Sequence, residues 1–102
     1  MLERLTRLGD EIRHRTLFEG KNFTSGLIEF RPTGKVDPKQ IVHHDREVVC
    51  YVLRGRGRLR AGGRRLPLSP GTVCHIPRRV PHDFAALTAG KLVIWYALIK
   101  AG

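Results

Sequence analysis

Long apolar runs are missing from this sequence. No stretch approaches the ~20 consecutive apolar residues that cross a bilayer. The longest run near the C-terminus, Leu92 to Ile99, is the size of a β-strand. The opening residues, Met1-Leu2-Glu3-Arg4-Leu5, hold neither a long apolar segment nor a cleavage site of small residues, so they do not read as a secretory signal. A cytoplasmic location is the expectation. Cysteine is scarce: two residues, Cys50 and Cys74, with no Cys-x-x-Cys. That excludes a disulfide framework. Each lies inside an apolar run, Val48-Val49-Cys50-Tyr51-Val52 and Val73-Cys74-His75-Ile76, as a buried thiol that fills core space would. Acidic residues are also few, 9 against 19 Lys+Arg, for a formal charge of +10. Such a balance suits either an anionic partner or an arginine-rich solvated surface. At 102 residues the chain has room for one domain with a modest core, and pairing with a second copy is a natural way to bury more.

What is present is turn chemistry. Leu2, Leu5, Leu8 and Ile12 fall on one helical face, interrupted by Gly9-Asp10, which predicts a short helix or turn in an N-terminal arm over residues 1–15. From Thr16 onward, Gly and Pro recur at short intervals, among them Gly20, Gly26, Pro32, Pro38, Gly55, Gly57, Gly62-Gly63, Pro67, Pro70-Gly71, Pro77, Pro81 and Gly90. Between them lie β-type runs: Arg15–Phe18, Phe23–Arg31, Gln40–His44, Val48–Arg54, Arg58–Ala61, Thr72–Ile76, His82–Leu87 and Lys91–Ile99. About eight short strands spaced by turns every ~8–12 residues predict an all-β sandwich or barrel over residues 16–100. Closure into a barrel removes the adhesive edges that an open sheet would leave.

The stretch from Arg54 to Arg65, rich in Arg and Gly, has the look of a nucleic-acid segment. Its context points elsewhere. Leu59 and Ala61 alternate with Arg58 and Arg60, as in a half-buried strand. Gly62-Gly63 supplies a hairpin turn. No aromatic residue is interleaved to stack on bases. A hairpin with a basic outer face is the expectation, and nucleic-acid binding ranks last among the functions.

Three polar clusters lie beside strands: His43-His44-Asp45-Arg46-Glu47, His75, and His82 after Pro77-Arg78-Arg79-Val80-Pro81. Histidines and a carboxylate brought together from two strands make a divalent metal site with positions left open for substrate. At these residues the chain resembles the cupins, small jelly-roll barrels. The later cupin motif, G-x5-P-x-G-x2-H-x3-N, is matched by Gly71, Pro77 and His82, with Arg79 in place of the middle glycine and Ala86 in place of the asparagine. The earlier motif, G-x5-H-x-H-x3,4-E-x6-G, is matched only in part. Tyr51-Val52-Leu53-Arg54-Gly55-Arg56-Gly57 resembles its usual ending. Counted back from Gly55, the glutamate position falls on Val48 and the two histidine positions on His44 and Val42. In a second register His43 and Glu47 are correctly spaced and Gly55 lies one residue too far.

The resemblance implies a single-domain cupin, a double-stranded β-helix (jelly-roll) barrel of the RmlC-like type, spanning 1–102. It implies a divalent metal (Fe, Mn, Ni, Cu or Zn) held by His44 and His82, then Glu47 and His43. Gln40, Cys50, His75 and Phe84 are further pocket candidates. His43 reads equally as an outer-face residue, Glu47 as a surface partner of an arginine, and His75 as a packed side chain. Two functions follow. One is a metal-dependent enzyme on a small molecule, with dioxygenase, isomerase and decarboxylase chemistry all hosted by the fold. The other is a binding or sensor module with a degenerate metal site and a small, anionic ligand. The resemblance also implies a homodimer.

Overall fold

The structure is a computed structural model, and it describes residues 6–7, 12–31, 41–87 and 90–100. Its strands are β1 (Thr6–Arg7), β2 (Ile12–Glu19), β3 (Phe23–Phe30), β4 (Arg46–Arg54), β5 (Gly57–Ala61), β6 (Arg64–Leu68), β7 (Val73–Ile76), β8 (His82–Ala86) and β9 (Leu92–Lys100). They form a six-stranded sheet in the order β1-β2-β3-β9-β4-β7 and a three-stranded sheet in the order β6-β5-β8. Every pairing is antiparallel. The fold is the expected all-β jelly-roll barrel. Thr6–Arg7, expected in a helix or turn, instead pair as a strand with β2, which itself takes in residues 12–15 of that arm; residues 1–5 and 8–11 lie outside the described residues.

Period-two alternation decides what each strand buries. Val48, Cys50 and Val52 of β4 face inward and are almost fully buried. Their neighbours in register on β9, Leu98, Tyr96 and Ile94, share that face. On β3 it continues through Phe30 and Ile28. The small sheet contributes Leu59, Leu68 and Phe84, and the two inner faces meet in one core. Cys50 and Cys74 sit opposite each other across β4 and β7, both reduced and buried. Burial, with Cys74 alongside, pushes the Cys50 thiol up to about 12, so it packs as an apolar group.

The hairpin expected at Gly62-Gly63 joins β5 to β6, with φ of 56° and 79° at the two glycines. Both being positive is the signature of the turn that matches strand twist. Arg58 and Arg60 point outward, as the alternation predicts, and both pair with Asp83 of β8. The Arg60 hydrogen bond holds the Asp83 carboxyl below its ordinary range, with Arg58 adding to the effect against a smaller cost of burial. Part of the basic face is therefore neutralised by the chain itself. Gly55 closes the β4–β5 connection at φ 84°, where a Cβ would stand 2.0 Å from the Lys91 carbonyl oxygen. Only glycine fits there.

Candidate functional site

The segment after β3 returns to the small sheet at Ile41. Ile41 and His82 exchange both backbone hydrogen bonds, at 2.8 and 2.9 Å. Two residues on, the His43 carbonyl accepts the Arg79 N–H at 2.6 Å. These anchors set the His43 ring against the His82 ring, with centroids 5.5 Å apart. Phe84 meets His82 edge-on at 6.3 Å and packs on Phe30 at 5.5 Å. The result is two imidazoles on an aromatic wall.

His82 is 4% exposed. It lies on the inner face of β8, in register with Ala61. Its Nδ1–H donates to the Val80 carbonyl at 2.9 Å. That bond fixes the ring and leaves the Nε2 lone pair free to accept a proton or meet a ligand. His43 is half-buried. Its pKa is lowered chiefly by burial, then by His82 and Arg46, against a smaller upward pull from Asp45. At neutral pH this imidazole is neutral, able to accept as well as donate.

The loop that carries His82 bears a backbone cost. Arg79 adopts φ 67°, the left-handed region that an L side chain enters at a penalty of roughly 1–2 kcal/mol. This is the position where the cupin motif has glycine. The His43 carbonyl accepts from this same residue, so the strained turn helps hold the imidazole pair together.

The remaining sequence candidates divide sharply. His44 is exposed, while its neighbour His43 lies beside His82, next to the Ile41–His82 bridge. Glu47 lies on the outer face of β4, opposite in sense to Val48, and accepts a hydrogen bond from His75 Nε2 at 2.7 Å. That exposed pair is a surface hydrogen bond on the outer face of the sheet. Cys50, 1% exposed, is core. Phe84 packs against both His82 and Phe30. Gln40 lies outside the described residues. Sequence reasoning missed His14 and Tyr96, which meet on the inner wall from β2 and β9. They are far apart in sequence, and only sheet register brings them together.

The cupin family's model, described as a cupin domain, matches residues 26–98. The chain is a cupin. No curated protein matches the sequence. Among solved structures, TT1209 from Thermus thermophilus aligns at a TM-score of 0.81 and 22% identity, covering 100% of this chain and 96% of that one. An RmlC-like cupin from Shewanella frigidimarina aligns at 0.78 and 18% identity, covering 96% and 84%. A predicted oxalate decarboxylase from Thermotoga maritima aligns at a TM-score of 0.76 and 17% identity, covering 87% and 80%. These likenesses are of fold. Among the described residues, no helix is long and apolar enough to cross a membrane.

Cupins commonly bind metals, and the donor set of this barrel departs from what such a centre needs. His82 presents a free Nε2 and His43 a second imidazole. In the register counted back from Gly55 the family's glutamate position falls on Val48, which faces inward and is 4% exposed. The one neighbouring carboxylate that the spacing offered, Glu47, is tied to His75 on the other face. Among the described residues no three His, Cys, Asp or Glu side chains gather to hold a metal ion. Two histidines without a carboxylate do not make the usual cupin centre.

Proposed function

We propose that this cupin is a ligand-binding or sensor module whose barrel receives a small polar or anionic molecule at the His43–His82 pair. One observation carries the reading: the His43 and His82 rings meet, while the inner face of β4 holds the buried Val48 and no carboxylate. The imidazole pair offers hydrogen-bonding groups to a ligand, and Phe84 with Phe30 supplies an apolar surface beside them. The formal charge of +10 favours anions on approach.

Metal content of tag-free protein, followed by calorimetric titration with divalent Fe, Mn, Ni, Cu and Zn, tests this. Substoichiometric metal that is unchanged in His82→Ala is the expected result. Stoichiometric metal that is lost in His82→Ala would overturn it in favour of a metal-dependent enzyme. That second reading has its own support in the Nδ1–H bond to Val80, because metal-ligating histidines are commonly oriented by such a bond. Pairing of Arg58 and Arg60 with Asp83 speaks against a nucleic-acid partner on that face.

We also infer a homodimer through the outer face of the large sheet. Trp95, Tyr51 and Val73 run across three strands in register there, with Val73 64% and Tyr51 41% exposed. An apolar row of this kind marks an association surface. Light scattering on the full chain is expected to give the mass of two copies, and Val73→Glu a single one. A wild-type monomer would end the inference.

A further inference from the structure

His14 and Tyr96 are a polar pair with no part in the His43–His82 pocket. His14 stands in register with Ile28, and Tyr96 with Gly26 and Cys50, so both project from the large sheet into the barrel. The imidazole Nε2 and the Tyr96 hydroxyl are hydrogen-bonded. The rings stack at 5.4 Å and 27°. Both side chains are only half-buried, so a solute can reach them.

Gly26 makes the arrangement possible. A Cβ there would lie 2.7 Å from the Tyr96 hydroxyl oxygen and 2.6 Å from the Arg15 carbonyl. Any side chain at position 26 would lift the phenol off β3 and out of reach of His14. The wall is thus open at the place where the phenol must lie flat.

We propose that His14 and Tyr96 form a second binding station in the barrel, specific for the carboxylate of a small organic acid. With a neutral imidazole, the Tyr96 O–H donates to Nε2 and no charge is present. If His14 takes one proton from solvent, its Nε2–H donates to the Tyr96 oxygen and the Tyr96 O–H is released to donate outward. A carboxylate oxygen can accept that O–H while its charge lies beside the imidazolium. One imidazolium balances one carboxylate, whereas a phosphate dianion would keep a charge that this pair does not meet. Burial lowers the pKa of His14, so the site is neutral when empty and takes up its proton with the anion.

The surroundings keep that exchange local. Ile28 of β3, in register with His14, is apolar. Beyond Tyr96 the same row holds the thiols Cys50 and Cys74, both held protonated by burial. Arg13 and Arg15 belong to the other face of β2, in register with Glu29 and Leu27. Among the described residues on the elements packed there, His14 is the group placed to take the proton.

The experiment is a histidine side-chain NMR titration of the full chain with sodium acetate, at constant ionic strength and about pH 6, with chloride as control. A saturable shift of the His14 ring resonances, with acetate raising the His14 pKa, is the expected result. Tyr96→Phe should bind acetate roughly tenfold more weakly at His14, having lost one charge-assisted hydrogen bond. His14→Gln keeps an acceptor for the phenol and cannot be protonated; its Tyr96 ring resonances should no longer respond. This second variant carries the test if Tyr96→Phe does not fold. A silent His14, an equal response to chloride, or an unchanged response in Tyr96→Phe or His14→Gln overturns the proposal. The His43 and His82 resonances in the same spectra report on the first site. If they alone respond, this station is refuted and the first stands.

Discussion

Two histidine pairs lie on opposite sides of the same sheet system, and their contrast is instructive. His43 and His82 meet inside, one ring 4% exposed and fixed by a backbone carbonyl. His75 meets Glu47 outside, with side chains 55% and 40% exposed. His82 and His75 stand on the short strands β8 and β7, while His43 precedes β4 and Glu47 lies within it. The outer pair has the charged partner, and water screens it, so it contributes little. The inner pair has no charged partner, yet it lies where a ligand would be desolvated and every hydrogen bond counts for more. Position across the sheet, rather than chemical type, separates a candidate site from a surface contact.

Moving the carboxylate from one side to the other breaks the comparison most strongly. Val48→Glu places an acid on the inner face of β4, the side of the sheet that faces the core. Without metal it should cost about 3 kcal/mol in denaturant unfolding, because an unpaired carboxyl is buried. Added Zn or Ni should restore much of that by binding only the folded state. If metal leaves the variant's midpoint unchanged, His43 and His82 are not aimed at a common point.

The next test sets the two pairs side by side. His82→Ala should cost about 2–3 kcal/mol, from a cavity and a carbonyl left without its donor. His75→Ala should move stability by less than about 0.5 kcal/mol. Equal effects in chemical denaturation would erase the distinction between inner and outer pair.

Arg79 sharpens the comparison at the backbone. Arg79→Gly relieves the positive φ and should stabilise by about 0.5–1 kcal/mol, the strain relieved less the added entropy of glycine. A rise in the thermal midpoint checks it. A fall would mean that the arginine side chain outweighs the strain.

The smallest effect is in pH. The folded pKa of His43 lies below the ordinary value of 6.5, with burial the main cause. The unfolded chain therefore binds the proton more readily, and stability rises with pH across this window. The His43 contribution is fully present above about 6.5 and is lost as pH falls through the lower folded value. Urea midpoints between pH 7.5 and 5.5 should fall less steeply in His43→Gln than in the parent, as one fewer group binds the proton on unfolding. An unchanged slope would show that burial of the ring has no consequence.

Much of the fold, and half of the inner pair, is legible in the residues themselves. Local turn chemistry places the Gly62-Gly63 hairpin, and alternation sends Leu59 in and Arg58 and Arg60 out. The spacing of Gly71, Pro77 and His82 points to the buried histidine. The apolar runs around Cys50 and Cys74 foretell buried thiols. The choice between His43 and His44 is not legible, because adjacent residues face opposite ways and nothing local sets the phase of a segment that lacks a regular ladder. That phase comes from the bridge between Ile41 and His82. Glu47 has the right spacing to His43 and still lies on the wrong face, since β4 continues its alternation unbroken through Val48.

Sequence by itself determined the all-β barrel, the cupin membership and the place of His82, because those rest on short-range signals: turn residues, a period of two, a fixed motif spacing. Tertiary structure alone decided which second imidazole faces His82, that Glu47 belongs to the surface, and that His14 meets Tyr96. Those outcomes depend on strand register and bridge position, which long-range pairing sets and no local pattern encodes.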